Sequence, residues 1–293
     1  MSAFLQVVIN GILLGSMYGI AAAGLSLIFG TMRIIFLAQG SAIVFFAFIV
    51  YFLFDKAHID PYLSLVIIVP FAFLIGIGLF YALFRKAAAN EDKNVSLLIA
   101  VGLMYLIENA ILKAWSASPR GLNLSYGDAT LVIGSIRIAY VPLGLLGLAL
   151  ASAAVVFYFL RRTRVGTAVR AASEDMEATT LMGINSVWVC AISFAIGVGL
   201  AGVAGVGMST VYSFDYQFGF TFALKALIAL TLGGLGNVFG ALAGGLILGI
   251  IENLTAFYLS ISWIEAVSYG VFVLVLIFLP HGLFGRRGVV KKV

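Results

Sequence analysis

Nine long apolar stretches separated by short polar ones constrain this chain more than any other feature. They cover residues 4–29, 36–54, 62–84, 95–115, 140–160, 187–211, 222–235, 238–258 and 263–279. Crossing the hydrocarbon of a bilayer takes roughly 20 apolar residues in a helix. Backbone in lipid must satisfy its own hydrogen bonds, which a helix does within one segment. The chain is 63% hydrophobic and 10% charged, against about 25% charged for an ordinary soluble domain. The expectation is an all-α polytopic integral membrane protein with about eight to nine transmembrane helices, forming a single transmembrane domain over residues 1–293. The spans use nearly the whole length. That excludes a soluble enzyme, a disordered protein and a nucleic-acid-binding module, and assigns any energy source or soluble receptor to another chain. One cysteine, Cys190, and two distant histidines, His58 and His281, offer neither a disulfide framework nor a metal site. The start, Met1-Ser2-Ala3-Phe4, lacks the basic region of a signal peptide.

The cations give the orientation. Arg33, then Arg85, Lys86 and Lys93, then Arg161, Arg162, Arg164 and Arg170, and finally Arg286, Arg287, Lys291 and Lys292 fall in alternate connections; Lys56, Lys113, Arg120, Arg137 and Lys225 lie elsewhere. Basic residues collect in cytoplasmic loops, so the first set faces the cytoplasm. The N-terminus is then outside, the C-terminus inside, and the number of passes nine. The count becomes eight if the first segment does not fully cross, or if the short seventh segment is re-entrant and another assignment shifts. Its end, Gly233-Gly234-Leu235-Gly236-Asn237, reads either as a tight turn or as the tip of such a helix. Two polar stretches are long: residues 116–139 outside, with the turn signal Ser118-Pro119-Arg120-Gly121, and residues 161–186 inside.

Glycine recurs at four-residue intervals: Gly11, Gly15 and Gly19; Gly197, Ala201 and Gly205; Gly240 and Gly244; Gly245 and Gly249. Small residues spaced this way let helices approach closely in lipid. The run Gly197-Val198-Gly199-Leu200-Ala201-Gly202 matches G-x-G-x-x-G. It lies inside an apolar span rather than between a strand and a helix, so it is not a dinucleotide fingerprint.

A few polar groups fall inside spans: Glu108 with Asn109, Glu252 with Asn253, Lys225, and Asn10. Ionisable groups are expensive there and mark function more often than chance. Two readings fit. Glu108, Asn109, Glu252 and Asn253 line a polar solute path, or they join helices by hydrogen bonds and a Lys225 salt bridge. No paired catalytic groups are evident; Asp128 and Asp215 stand apart in outer loops. The expected catalytic and metal-binding sets are therefore empty.

In the inner stretch, helix-forming residues fill 167–182 and Gly183 is placed to stop a helix. An amphipathic helix beneath the membrane fits either a docking knob for a soluble partner or an interfacial connector.

Glu177-Ala178-Thr179 with Gly183 four residues on resembles the E-A-A-x-x-x-G motif of ABC importer permeases. Gly15-Ser16-Met17-Tyr18-Gly19, Leu200-Ala201-Gly202-Val203-Ala204-Gly205, Leu224-Lys225-Ala226, Gly233-Gly234-Leu235-Gly236-Asn237, Gly249-Ile250-Ile251-Glu252 and Pro280-His281-Gly282-Leu283-Phe284-Gly285 are similar, in order and spacing, to branched-chain amino acid permeases of the LivH/LivM type. The resemblance implies an ABC importer permease fold in a bacterial inner membrane. It implies a second permease subunit (LivM-like, or a second copy), two cytoplasmic ATPase subunits that bind ATP and magnesium, and a periplasmic solute-binding protein. This chain would carry no cofactor, and no Walker phosphate loop is present in it. By the same resemblance, Arg170, Ala171, Glu174, Asp175, Glu177, Ala178 and Gly183 couple to the ATPase. Relatives carry Asn-Phe-Ala-His-Gly where this chain has Phe36-Leu37-Ala38-Gln39-Gly40. Gln39 joins the path candidates for that reason, and permeases for urea, short amides or other small organic solutes remain an alternative. A secondary transporter, built around the break at 233–237, is the rival from another class.

Overall fold

The structure is a computed structural model that describes residues 2–88, 93–124, 126–127, 129–133, 136–279 and 281–285. Asp128, Pro280, Arg286, Arg287, Lys291 and Lys292 lie outside the described residues, as does the side chain of Lys93. All nine apolar stretches form helices. In chain order these are α1 (Ser2–Met32), α2 (Ala38–Ala57), α3 (Leu65–Leu79) continuing through a π-helical turn (Phe80–Phe84) into α4 (Arg85–Ala88), and α5 (Lys93–Trp115). After an outer hairpin come α6 (Tyr140–Arg162), the cytoplasmic α7 (Arg164–Glu174) and α8 (Met176–Leu181), then α9 (Ser186–Val211), α10 (Phe218–Gly233), α11 (Val238–Tyr258) and α12 (Ile264–Phe278).

Among the described residues, eight helices are long and apolar enough to cross a membrane. The sixteen-residue α10 is shorter, about 24 Å at 1.5 Å per residue. It nevertheless runs from the outer loop at Asp215 to the cytoplasmic end of the bundle. Its terminal turn lies against Gly30 at the end of α1 and against residues 281–285 after α12. Counted with α10, nine apolar helices run through the bundle among the described residues, the odd number expected for an outer N-terminus and an inner C-terminus.

Glycine explains how the helices are arranged. α1 and α9 are buried along most of their length, and α3, α5, α6 and α12 surround them. On α1, a Cβ at Gly11 would lie 2.6 Å from the Ile250 Cα, and one at Gly15 would lie 2.6 Å from the Gly245 carbonyl oxygen. Backbone therefore meets backbone along α1 and α11. The two ladders on α11 face different neighbours: Gly245 and Gly249 meet α1, while Gly240 and Gly244 meet α10. Gly205 on α9 packs on Ile43 and Phe46 of α2. The G-x-G-x-x-G run sits within α9, as its apolar context predicts.

One expectation needs correction. Residues 167–182 do not form one helix. Asp175 is extended (φ −150°, ψ 108°), and its carboxylate accepts the Ala178 N–H at 3.0 Å, capping a second helix. Three caps, at Thr163, Asp175 and Asn185, start α7, α8 and α9 in turn. Gly183, at φ +82°, ends α8, where the left-handed turn disfavours any side chain. The outer stretch carries a short hairpin. β1 (Thr130–Ile133) and β2 (Ile136–Ala139) pair antiparallel, and Arg120 exchanges two 2.9 Å backbone hydrogen bonds with Phe214. The Gln6 amide donates to the Arg137 carbonyl and accepts its N–H at 2.6 and 2.8 Å, tying the start of α1 to β2.

Candidate functional site

Glu252, in the C-terminal half of α11, has a side chain that is 8% exposed. The Lys225 ammonium of α10 lies 3.0 Å from each of its carboxylate oxygens. The Tyr18 hydroxyl of α1 donates to Oε2 at 2.8 Å, and the Ser268 hydroxyl of α12 donates to Oε1 at 3.1 Å. Lys225 also reaches the Tyr18 hydroxyl at 3.2 Å and lies over its ring, 5.2 Å from the centroid. Four helices thus converge on one ion pair. In low dielectric such a pair holds only when the geometry is good and the remaining lone pairs are filled; both conditions are met.

The pair forms part of the wall of a cavity of about 390 Å3, between α1, α10, α11 and α12. Tyr212, Phe218, Ile261 and Ile264 also line it. These residues belong to the outer ends of their elements, so the cavity lies in the outer half of the bundle. Glu265, in the first turn of α12, is a second carboxylate on its wall.

The path candidates separate. Glu252 and Asn253 line this cavity; the Asn253 amide donates to the Gly249 carbonyl within its own helix at 3.1 Å. Glu108 does not line it. It accepts from the Ser41 hydroxyl of α2 at 3.0 Å. Asn109 is exposed and donates to the Tyr105 carbonyl at 2.7 Å. Gln39 is fully buried, and its amide donates to the Gly197 carbonyl of α9 at 3.1 Å. Beside it, Phe36 packs edge-on against Phe84 and Phe194, with centroids 5.6 and 4.9 Å away. The Phe36-to-Gly40 departure is thus built into the helix packing, and neither Phe36 nor Gln39 lines the outer cavity. Tyr18 and Ser268 escaped the sequence analysis because an isolated hydroxyl in an apolar helix gives no periodic signal. The salt bridge offered for Lys225 by one of the two readings is present, with Glu252.

On the cytoplasmic side, Gly233-Gly234-Leu235-Gly236-Asn237 is a tight turn, not a re-entrant tip. Gly234 and Gly236 have φ +109° and +80°. Asn237 accepts the Gly240 N–H at 3.1 Å to cap α11 and donates to the Phe284 carbonyl at 2.9 Å. Leu283 N–H donates to the Leu232 carbonyl at 2.8 Å. Two motifs some fifty residues apart, 233–237 and 281–285, therefore lock together. Arg170 and Glu174 of α7 line a second cavity, of about 420 Å3, with Arg33, Arg161 and this turn. Arg33 also donates to the Ser173 carbonyl at 3.4 Å. Ala171 is half-buried, while Asp175, Glu177, Ala178 and Gly183 are exposed. Leu181 and Met182, at the tip of α8, are 88% and 82% exposed. Among the described residues no three Asp, Glu, His or Cys gather as a metal site requires.

The family model for the branched-chain amino acid transport system permease component matches residues 7–279. The chain belongs to that family. It is 30% identical to the high-affinity branched-chain amino acid transport system permease protein LivH of Escherichia coli, over 98% of this chain and 97% of the relative. It is 29% identical to the corresponding permease protein BraD of Pseudomonas aeruginosa, over 98% of each. Among solved structures, PsaBC from Streptococcus pneumoniae in complex with a Fab shares the fold. The TM-score is 0.52 and the identity 11%, over 94% of this chain and 92% of the other. This member of the branched-chain permease family is a multi-pass inner-membrane protein, and its relatives are transport permeases. A permease of this kind works with ATPase and solute-binding partners.

Proposed function

We propose that this chain is one permease subunit of an ATP-driven importer for branched-chain or other apolar amino acids. It pairs with a second, LivM-like permease subunit or with a second copy of itself. It receives solute from a periplasmic binding protein and is driven by two cytoplasmic ATPase subunits, which bind the ATP and magnesium. The observation that carries the coupling part is the exposed apolar tip of α8. Leu181 and Met182 stand out on the side assigned to the cytoplasm by its arginines. Two neighbouring exposed apolar side chains on a short helix suit insertion into an apolar groove of a soluble partner. Arg170, Glu174 and Glu177 supply charge around the tip.

The position of α7 explains how force at α8 would travel. α7 is tied to α1 through Arg33 and packs against α6 and α9. Ser173 and Gly236 both lie close to Gly30, so α7 sits beside the α10–α11 turn. Displacement of α8 therefore biases the two helices that carry Lys225 and Glu252. ATP closure selects one of two packings of the bundle. The complete turn at 233–237 leaves the rival secondary transporter without the broken helix it needs.

The test is Leu181→Asp with Met182→Asp in the assembled transporter. Recovery of ATPase subunits with the permease should fall at least about tenfold, as loss of a buried apolar anchor pair predicts, while membrane insertion persists. ATPase recovery and leucine uptake at the level of the unaltered transporter would remove α8 as the docking element.

A further inference from the structure

We propose that the cytoplasmic cavity walled by Arg33, Arg161 and Arg170 is a site for a phosphate group, supplied by an anionic phospholipid of the inner leaflet. The site is independent of which solute the transporter carries.

Three arginines from three parts of the chain meet there. Arg33 follows α1, Arg161 lies at the end of α6, and Arg170 belongs to α7. All three line the same volume of about 420 Å3. Two contacts place guanidinium groups at the wall itself. That of Arg33 donates to the carbonyl of Ser173, a wall residue, at 3.4 Å. That of Arg161 lies over the ring of Phe157, another wall residue, 4.5 Å from its centroid. A ring contact of this kind uses the charge and leaves the N–H donors unspent. Among the described residues, Arg161 and Arg170 form no ion pair and donate no side-chain hydrogen bond, and Arg33 donates only the one. Glu174 is the single carboxylate on this wall. The cavity therefore gathers more positive charge than the protein offsets within it. Guanidinium forks match phosphate oxygens in geometry as well as in charge.

The depth of the cavity identifies the source of the phosphate. It lies where α6 ends and α11 begins, at the cytoplasmic limit of two helices long enough to span. Lipid headgroups occupy that depth, and basic pockets between helices on the cytoplasmic side suit anionic ones. Phe157 is one turn nearer the membrane centre than Arg161. Its exposed ring meets that of Phe239 of α11 edge to face, with centroids 5.0 Å apart. A neighbouring hollow shares Phe157 and Arg161 with the cavity and adds Tyr158 and Arg162, so the site borders the exposed side of α6. A free phosphate ion gains nothing from these rings. A phospholipid sets its phosphate on the arginines and its glycerol and first methylenes on Phe157 and Phe239. The ammonium of a zwitterionic headgroup meets repulsion from the same arginines, which selects an anionic lipid. Arg170 is also among the residues that the resemblance assigns to ATPase coupling, so a lipid bound here touches the coupling element α7.

Binding to the assembled transporter in neutral detergent tests this, with radiolabelled phosphatidylglycerol, phosphatidylcholine and inorganic phosphate as separate probes. The unaltered protein should retain phosphatidylglycerol at least about fivefold over phosphatidylcholine. Arg33→Gln with Arg161→Gln should lower that retention at least about threefold. Arg161→Gln alone alters an exposed side chain with no polar partner among the described residues, and should lower it about twofold. Arg85→Gln with Lys86→Gln removes as much charge from the same side of the membrane but outside the cavity, and should leave retention unchanged. Equal losses in the two double variants would show that only overall charge attracts the lipid, and would overturn the site. Should the Arg33 and Arg161 double variant fail to assemble, Arg161→Gln decides, and unchanged retention there overturns the proposal. Arginine-dependent binding of inorganic phosphate with no preference for phosphatidylglycerol would overturn the membrane as the source.

Discussion

Asp175 shows how one side chain can divide a segment. The residues around it favour helix, yet its carboxylate satisfies the Ala178 N–H better than a continuing helix would, so the chain kinks there. Replacing Asp175 with Ala should cost about 1 kcal/mol at this cap. The loss should appear as faster hydrogen exchange and easier proteolysis over residues 176–182, with α7 unaffected. Equal protection in both proteins would show that contacts with α9, not the cap, hold α8. The same contest between local and tertiary forces explains what the residues alone could not reveal about the candidate site. Glu252 and Lys225 stood out because charge is rare in an apolar run. Which of the intramembrane polar groups share a cavity depends on how four helices meet, and no local feature distinguishes Glu252, on the cavity wall, from Glu108, bonded to Ser41 elsewhere.

At the scale of the element, the glycine ladders separate into those that bear on neighbours and those that do not. Gly15 and Gly245 lie at the α1–α11 contact, where added atoms meet backbone. Gly102 on α5 faces open space. Gly245→Val should therefore force α1 and α11 apart, costing about 1–3 kcal/mol or more for overpacking a close contact. Gly102→Val should be nearly silent, since a helix interior gains from replacing glycine. Thermal unfolding of the two variants in detergent measures the difference. Similar midpoints would show that lipid-side propensity, not packing, sets the need for glycine. Spacing by four was legible because one residue type repeats; the partner of each ladder was not, because a ladder carries no address. The two faces of α11, one toward α1 and one toward α10, become distinguishable only once both neighbours are in place.

For the whole molecule, orientation follows from charge and can be read directly. The structure contributes the short seventh pass, α10, whose ends lie at opposite sides of the bundle. Cys190 is buried, so single cysteines introduced at exposed positions report sidedness. A cysteine at Ser118 should react with a membrane-impermeant maleimide in intact cells, and one at Met182 only after permeabilisation. The reverse pattern would invert the topology and detach α8 from any cytoplasmic motor.

The amino-acid order alone gave the helical membrane class, the approximate limits of the nine apolar helices and the family. Each of these depends on properties summed along one segment: apolar length or a motif in register. The three-dimensional packing settled the break at Asp175, the outer hairpin, the lock between the 233–237 and 281–285 motifs, and the meeting of Tyr18, Lys225, Glu252 and Ser268. Those depend on contacts between residues far apart in the chain, where burial makes a single hydroxyl or charge consequential and where local composition carries no record of the partner.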